Sequence, residues 1–187
     1  WSGIDYNGNW KALHYQAKRA LAPILINPVQ QNDSLGVYLI SDLLDTADCM
    51  TLEMKILDFN GKRQGKPVRL ESLTLPANTS RCVYRVKTDT WLSGEERRRC
   101  FLQLALKDKT GRTVAENVYF FEKTKDLLLP ETAITCKLKQ SDGKCELSLF
   151  SGGLAKDVFI EVPVQGARFS DNFFDLLPGE RKTVTVT

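Results

Sequence analysis

The sequence has few of the residues and patterns that mark common metal, redox and membrane proteins. Among 187 residues there is one histidine, His14, and the five cysteines form no CxxC pair. A structural zinc site needs about four clustered ligands, and a redox site needs a close cysteine pair. No stretch reaches the ~18 apolar residues of a membrane-spanning helix. We therefore predict no metal, no cofactor and no membrane span.

The charge balance argues against a nucleic-acid partner. Lys and Arg number 26 against 23 Asp and Glu, and the net charge is only +3. A protein that binds nucleic acid or an anionic membrane concentrates its basic residues, whereas here they are dispersed among acidic ones. The one dense basic cluster, residues 97–99, directly follows Glu95 and Glu96. We interpret it as a solvated loop.

The odd number of cysteines indicates free thiols. An unpaired cysteine behaves as a small apolar core residue. We predict that all five are mostly buried free thiols, and a single disulfide is the alternative. The five are Cys49, Cys82, Cys100, Cys136 and Cys145.

The first segment carries the periodicity of a helix. Asn9 is the predicted N-cap, and Pro23 supplies the stop. The apolar residues that recur at helical spacing form one apolar stripe along the helix. They are Trp10, Leu13, Ala17, Ala20 and Leu21.

Seven strand-like runs follow the helix, each bounded by turn residues. Seven short strands in ~100 residues are typical of an immunoglobulin-like sandwich. In the strongest run, Cys100, Leu102, Leu104 and Leu106 share one face, and Asn60-Gly61 predicts a hairpin turn. The runs are Ile24–Val29, Leu35–Ser41, Met50–Phe59, Pro67–Leu75, Arg81–Lys87, Cys100–Lys107 and Thr113–Phe121.

A charged stretch and a leucine run at residues 123–130 predict a junction between domains. Beyond it the strand pattern restarts, with turns at Ser141-Asp142-Gly143 and Leu177-Pro178-Gly179-Glu180. This second unit has ~60 residues, fewer than the ~100 of an Ig sandwich, and it stops within a strand, so we expect further strands beyond it. The runs are Thr132–Lys139, Cys145–Phe150, Asp157–Val162 and Thr183–Thr187.

Three stretches resemble the C-terminal part of β-mannosidases of glycoside hydrolase family 2. The first, WSGIDYNGNWKALHY with AKR and AP after it, occupies residues 1–23. The second is VYFF at 118–121 followed by KDL at 125–127. The third is AKDVF at 155–159 with FSDNFFDLLPGE at 169–180. The first and third are specific in order and spacing, whereas the second is weak by itself.

The resemblance implies an all-β chain of two Ig-like sandwiches behind the last helix of a (β/α)8 barrel. The implied division is residues 1–22 for the barrel remnant, 23–126 for the first sandwich and 127–187 for an incomplete second one. The barrel itself, in the same polypeptide, is the implied partner, and a carbohydrate substrate is reached only through it. The first residues show no signal peptide and no initiating Met, which indicates a processed or partial chain.

The implied function is that of a non-catalytic accessory region of a larger enzyme. Family members are retaining exo-glycosidases that remove terminal β-D-mannose, which requires two carboxylates ~5–5.5 Å apart. Both lie upstream of the matched stretch in the family, so no catalytic, substrate-binding or metal residue is assigned to this chain. The resemblance also implies an extracytoplasmic location: periplasmic, secreted or lysosomal.

For several side chains a catalytic or binding role can be weighed against a purely structural one. His14 is expected to be an ordinary helix side chain rather than a catalytic group. Trp1 and Asp5 are candidates for the substrate pocket of the intact enzyme, because barrel active sites lie at the C-terminal ends of strands. Trp91 is the best candidate for a sugar-stacking platform, although an aromatic plug is the more common role.

The aromatic cluster near the end of the chain is expected to be structural. Phe169, Phe173 and Phe174 are predicted to turn a corner and place their rings in the core, while a calcium site around Asp171, Asn172 and Asp175 is the alternative. Other functions left open are a carbohydrate-binding module and an Ig-like surface ectodomain. A stand-alone enzyme has no motif in its favour.

Overall fold

The computed structural model describes residues 2–141, 144–164 and 166–187. The chain divides into two compact units. The seven-stranded unit consists of Ala22–Asp58 and Lys62–Leu128. The terminal unit consists of Trp1–Leu21, Phe59–Gly61 and Leu129–Thr187.

All seven strands predicted after the helix are present in the seven-stranded unit. They form two antiparallel sheets, of order β1-β2-β5 and β4-β3-β6-β7. The predicted hairpin turn at Asn60-Gly61 joins β3 to β4, with Gly61 at φ 83°. The strands are β1 Ile24–Gln31, β2 Ser34–Ser41, β3 Ala47–Asp58, β4 Arg63–Leu75, β5 Thr79–Lys87, β6 Cys100–Lys107 and β7 Thr113–Phe120.

The core of this unit follows the alternation of the strands. On β6 the side chains of Leu102, Leu104 and Leu106 are fully buried, as the sequence predicts. Leu35 on β2 and Leu52 on β3 are also fully buried. Each such side chain contributes roughly 1.5–3 kcal/mol of hydrophobic stabilisation. Phe101 is also fully buried, although it lies on the opposite face of β6, which the alternation pattern did not predict.

Three short 3-10 helices interrupt the strands, at Thr88–Thr90, Gly94–Arg98 and Thr124–Asp126. The second of them contains most of the basic cluster that the sequence places in a loop. Its charges are balanced locally, because Arg97 pairs with Asp89 and Arg98 pairs with Glu95.

The described part of the terminal unit contains one α-helix and two small sheets. The sheets have the orders β12-β9-β8 and β10-β11. Strand β11 was missed in the sequence because it has only three residues, and β10 ends at Val158 rather than at Val162. Its elements are α1 Ala12–Ala20, β8 Ile134–Ser141, β9 Lys144–Ser151, β10 Ala155–Val158, β11 Phe174–Leu176 and β12 Arg181–Val186. Of the two predicted turns, the second is present, with Gly179 at φ 75°, while Asp142 and Gly143 of the first lie outside the described residues.

One detail of the predicted helix was wrong, and its buried residue was not predicted. The N-cap is Lys11 rather than Asn9, and α1 begins at Ala12. On the apolar stripe, Leu13 is 58% exposed and Leu21 is 79% exposed, as expected of side chains that a catalytic barrel would cover. Tyr15, which the stripe omitted, is only 2% exposed and is the buried residue of the helix.

All five cysteines are free, as predicted, but their burial differs. Cys49 and Cys136 are exposed, so the expectation of burial was wrong for these two. Cys100 is buried in the core, and this burial is the main reason that the pKa of its thiol rises to about 11.

The predicted fold class is confirmed: the chain is mostly strand, arranged in Ig-like sheets, with a single helix of nine residues in the part that the structure describes. The division into 1–22, 23–126 and 127–187 stays a prediction. The compact units group the chain differently, because α1 and residues 59–61 belong with residues 129–187. No described helix is long and apolar enough to cross a membrane.

Candidate functional site: the helix seat of the terminal unit

Segment 2–21 lies on the corner formed by residues 169–174, and we call this arrangement the helix seat. The turn before the helix is organised by Asp5. Its Oδ1 accepts hydrogen bonds from the backbone N–H groups of Asn7 (2.9 Å) and Asn9 (2.8 Å), and its Oδ2 accepts one from Asn9 Nδ2 at 2.9 Å. The Asn9 side chain is the main cause of the lowered pKa of Asp5. Both oxygens of this substrate-pocket candidate are thus used within its own turn, and Trp1 lies outside the described residues.

Tyr15 is the apolar centre of the helix seat. Its ring centroid is 5.9 Å from that of Phe173 and 5.7 Å from that of Trp10. Aromatic pairs at such distances contribute about 0.5–1.5 kcal/mol beyond the area they bury. Burial is the main cause of the raised pKa of the Tyr15 hydroxyl. The helix is therefore attached through one large buried side chain rather than through an aliphatic stripe.

Basic side chains of the helix surround this centre and bind the corner. Arg19 forms an ion pair with Asp171, and its Nη2 donates a hydrogen bond to the Phe173 carbonyl at 2.7 Å. Lys18 Nζ donates to the Ser170 carbonyl at 2.9 Å. Lys182 on β12 reaches the other oxygen of Asp171 at 2.8 Å. These groups are partly exposed, so each ion pair is worth at most about 1 kcal/mol, and their main effect is to fix the position of the helix.

Asn172 holds the corner in shape. It is 2% exposed, and its Nδ2 donates to the Ile160 carbonyl at 2.8 Å. Its Oδ1 accepts from the backbone N–H groups of Ile160 (2.8 Å) and Phe173 (2.9 Å). Phe173 has a φ of 52°, a conformation that costs a non-glycine residue about 1–3 kcal/mol and persists only where the surrounding contacts impose it. The amide of Asn172 supplies those constraints.

The aromatic cluster has the structural role expected of it. Phe174 is 6% exposed within the core of the terminal unit, and Phe169 packs against that core. Phe173 stacks on Phe159 with centroids 4.8 Å apart and an interplanar angle of 24°. The corner therefore places one ring in the core and a second under the helix.

The residues of the calcium alternative are bound to protein groups. Asp171 is paired with Arg19 and Lys182, as described. Asp175 accepts a hydrogen bond from the backbone N–H of Asp157 at 2.9 Å and lies 3.4 Å from Lys156 Nζ. Among the described residues, no group of three or more His, Cys, Asp or Glu is placed to hold a metal ion. The charges of the helix seat serve attachment.

The two remaining single-residue candidates also have packing partners. The His14 ring centroid is 4.2 Å from that of Trp10, on the helix. Trp91, in the seven-stranded unit, stacks on Tyr84 with centroids 5.7 Å apart and an angle of 12°, and it packs against the core. One face of Trp91 is therefore occupied by a protein ring.

A cleft of about 350 Å³ opens beside the helix seat. Its volume lies near the lower end of the ~300–1,000 Å³ that small-molecule sites occupy. The aromatic side chains that line it include Trp10, Tyr15 and Phe159.

Sequence reasoning missed the residues that matter most in the helix seat, namely Tyr15 and Arg19. The partners Arg19 and Asp171 are 152 positions apart, so no local pattern links them. The usable signal was indirect. Tyr15 and Arg19 lie in the first stretch that carries the family resemblance, and Asp171 lies in the third.

The sheets and the helix seat define a class of protein, namely a pair of Ig-like β-sandwich units, one of which carries a helix from the start of the chain. Residues 33–126 match the Mannosidase Ig/CBM-like domain family, and residues 129–187 match an Ig-fold domain family of mannosidases. The chain belongs to the Mannosidase Ig/CBM-like domain family. The resemblance to the C-terminal region of family 2 β-mannosidases is confirmed.

The similar proteins are much longer than this chain. It is 27% identical to β-mannosidase A of Aspergillus niger, with the match covering 100% of this chain and 21% of that protein. It is also 27% identical to β-mannosidase of Capra hircus, with the match covering 98% of this chain and 21% of that protein. The chain thus spans about a fifth of the length of the curated relatives it matches, and it corresponds to an accessory Ig-like region of such enzymes.

Solved structures show the same arrangement of elements. The β-D-mannosidase of Dictyoglomus thermophilum is similar with a TM-score of 0.79 and 28% identity, over 100% of this chain and 22% of that one. The exo-chitosanase of Amycolatopsis orientalis is similar with a TM-score of 0.67 and 20% identity, over 100% of this chain and 26% of that one. The second likeness concerns the fold alone.

Proposed function

We propose that this chain is the non-catalytic accessory region of a longer retaining β-mannosidase, and that the helix seat fastens it to the catalytic domain. The observation that carries the proposal is the grouping of α1 with the terminal unit, together with the match of the whole chain to about a fifth of β-mannosidases. In the family resemblance, residues 1–22 end the catalytic barrel. A firm seat for this segment ties the end of the barrel to the terminal unit.

The chemistry of the helix seat supports attachment. Two carboxylates of the helix seat are held by protein groups: Asp5 by Asn9, and Asp171 by Arg19 and Lys182. A retaining glycosidase needs one carboxylate free to attack and a second to transfer a proton. We assign both to polypeptide outside residues 1–187, so this chain has no glycosidase activity of its own.

The partner in this proposal is the catalytic barrel of the same polypeptide, and mannosides are bound there. The exposed side chains of Leu13 on α1 and of Leu21 at its C-cap suit the apolar contact that such a barrel offers. We place the intact enzyme outside the cytoplasm, on the strength of the family resemblance.

A chromogenic assay tests the proposal. The 187-residue chain and the complete natural polypeptide are incubated in parallel with 4-nitrophenyl β-D-mannoside. We expect release of nitrophenol by the complete polypeptide and none above buffer by the chain. Turnover by a contaminant-free preparation of the chain would disprove the accessory role, and inactivity of the complete polypeptide on every β-mannoside tried would disprove the parent activity.

A pair of variants in the complete polypeptide tests the fastening. Arg19→Ala removes the ion pair and the carbonyl contact of the helix seat, whereas Lys11→Ala changes an exposed basic residue just before the same helix. We expect Arg19→Ala alone to lower the midpoint of thermal inactivation of β-mannosidase activity, because it loosens the tie to the barrel. Equal midpoints of thermal inactivation for the two variants would contradict the proposal that the helix seat fastens the terminal unit to the barrel.

A further inference from the structure

Strand β8 exposes to solvent apolar side chains of the kind that usually lie in a protein core. Ile134 and Leu138 are 41% and 65% exposed, and Cys136, which lies between them on the same face, is also exposed. Exposed single apolar residues are ordinary, but three successive positions on one face of a strand are not.

The exposed face is the inner face of its sheet. In the antiparallel register, Cys136 lies opposite Leu149 and Leu138 lies opposite Leu147, so these side chains point to the same side. Leu149 is 5% exposed in the core of the terminal unit, and Leu147 packs against that core. The inner face is therefore covered at β9 and open at β8.

The reason is a difference in width between the two sheets. The buried core cluster draws its members from β9 and β12 on one side and from β10 and β11 on the other. The first sheet has three strands and the second has only two, of four and three residues. Two short strands cannot cover three longer ones, and an Ig-type sandwich usually has about seven strands.

We infer that a further β-strand of the same polypeptide, supplied from outside residues 1–187, covers the inner face of β8. This inference rests on the proposed function, in which the chain is about a fifth of a longer protein. The strand adds to the β10–β11 sheet and presents alternating apolar side chains to Ile134, Cys136 and Leu138.

A second copy of the chain fits β8 less well. Pairing two β8 edges antiparallel would bring rows of lysines together, since Lys137 and Lys139 occupy the outer face of the strand. Like charges on neighbouring strands are destabilising, and edge lysines are a common means of preventing such association. A strand laid over the inner face avoids both lysines.

Thiol labelling at Cys136 provides the test. The 187-residue chain and the complete natural polypeptide are pulsed with iodoacetamide, and each cysteine is followed by peptide mass spectrometry. We expect Cys136 to be labelled about 100-fold more slowly in the complete polypeptide, as for a site that reacts only through local opening. Unfolding both samples in denaturant should restore the same rate at Cys136.

Two variants give an independent readout. Leu138→Lys should leave the melting temperature of the 187-residue chain within about 2 °C of wild type and lower that of the complete polypeptide by several degrees. Lys137→Ala, on the outer face, is the matched control and should change neither.

Equal labelling of Cys136 in the two proteins overturns the inference, and so does protection in the 187-residue chain that disappears on dilution, which would indicate a second copy. Neither outcome depends on hydrolysis of a β-mannoside. The proposed function can therefore fail while Cys136 is protected, and the inference can fail while the enzyme is active.

Discussion

Replacing Tyr15 by alanine should remove much of the stability of the terminal unit while sparing the seven-stranded unit. Tyr15 is 2% exposed, and truncating a large buried aromatic residue costs roughly 3–5 kcal/mol. The terminal unit has about 80 residues, for which a stability of about 4–12 kcal/mol is typical. The loss is therefore a large part of the total, and at about 4–8 °C per kcal/mol its melting temperature should fall by roughly 12–40 °C.

Hydrogen exchange followed by mass spectrometry locates this loss. In the 187-residue chain, the amides of β9 and β12 should exchange at least about 100-fold faster in Tyr15→Ala, because each 1.4 kcal/mol is a factor of ten. Amides of β3 and β6 should be unchanged. Leu13→Ala is the matched control on the same helix, since Leu13 is 58% exposed, and it should have little effect. An exchange rate in β9 and β12 within about threefold of wild type for Tyr15→Ala would refute the reasoning.

Two further predictions concern buried polar chemistry. Asn172→Ala should destabilise the terminal unit by roughly 3 kcal/mol in denaturant unfolding, because it leaves three partly buried backbone groups of Ile160 and Phe173 without this partner. Each group should cost about 1 kcal/mol, the lower end of the ~1–3 kcal/mol for a fully buried group. Asn7→Ala, in an exposed turn, is its control, and equal midpoints for the two variants would contradict the role of the corner. Cys100 should make the seven-stranded unit less stable in alkali: its folded pKa of about 11 lies above its usual 9.0, so its contribution is complete below pH 9 and is lost as the pH rises through 11. The free energy of unfolding is measured at pH 8 and pH 11 for the variants Cys100→Ala and Cys49→Ala. Between these two pH values Cys49→Ala should lose about 1–2 kcal/mol more stability than Cys100→Ala, which no longer carries the thiol. An equal loss in the two variants would contradict the role of Cys100.

The sandwich architecture could be predicted from sequence because strand signals are local. The alternation at Cys100, Leu102 and Leu104 and the turn at Asn60-Gly61 each act over a few residues. Every strand of the seven-stranded unit was predicted within a few residues of its ends. The strand β11 escaped because three residues carry too little periodicity to detect.

The helix seat could not be predicted, because it depends on contacts between distant parts of the chain. Apolar spacing favoured Leu13 and Leu21, yet the face that is covered is decided by the corner at Phe173, about 160 residues away. Tyr15 has a polar tip and did not register as a core residue. The exposed cysteines were mispredicted for a similar reason: Cys136 lies on the inner face of its sheet, yet no residue that the structure describes covers it.

Deleting residues 1–21 tests most directly whether the start of the chain is part of the terminal unit. The shortened chain and the whole chain are compared by denaturant unfolding, with hydrogen exchange in β6 and β9 reporting on the two units separately. We predict that β6 stays as protected as in the whole chain, while β9 loses several kcal/mol of protection or all of it, because the aromatic and ionic contacts of the helix seat are gone. Undiminished protection of β9 would contradict the helix seat and leave the first 21 residues as a passive remnant.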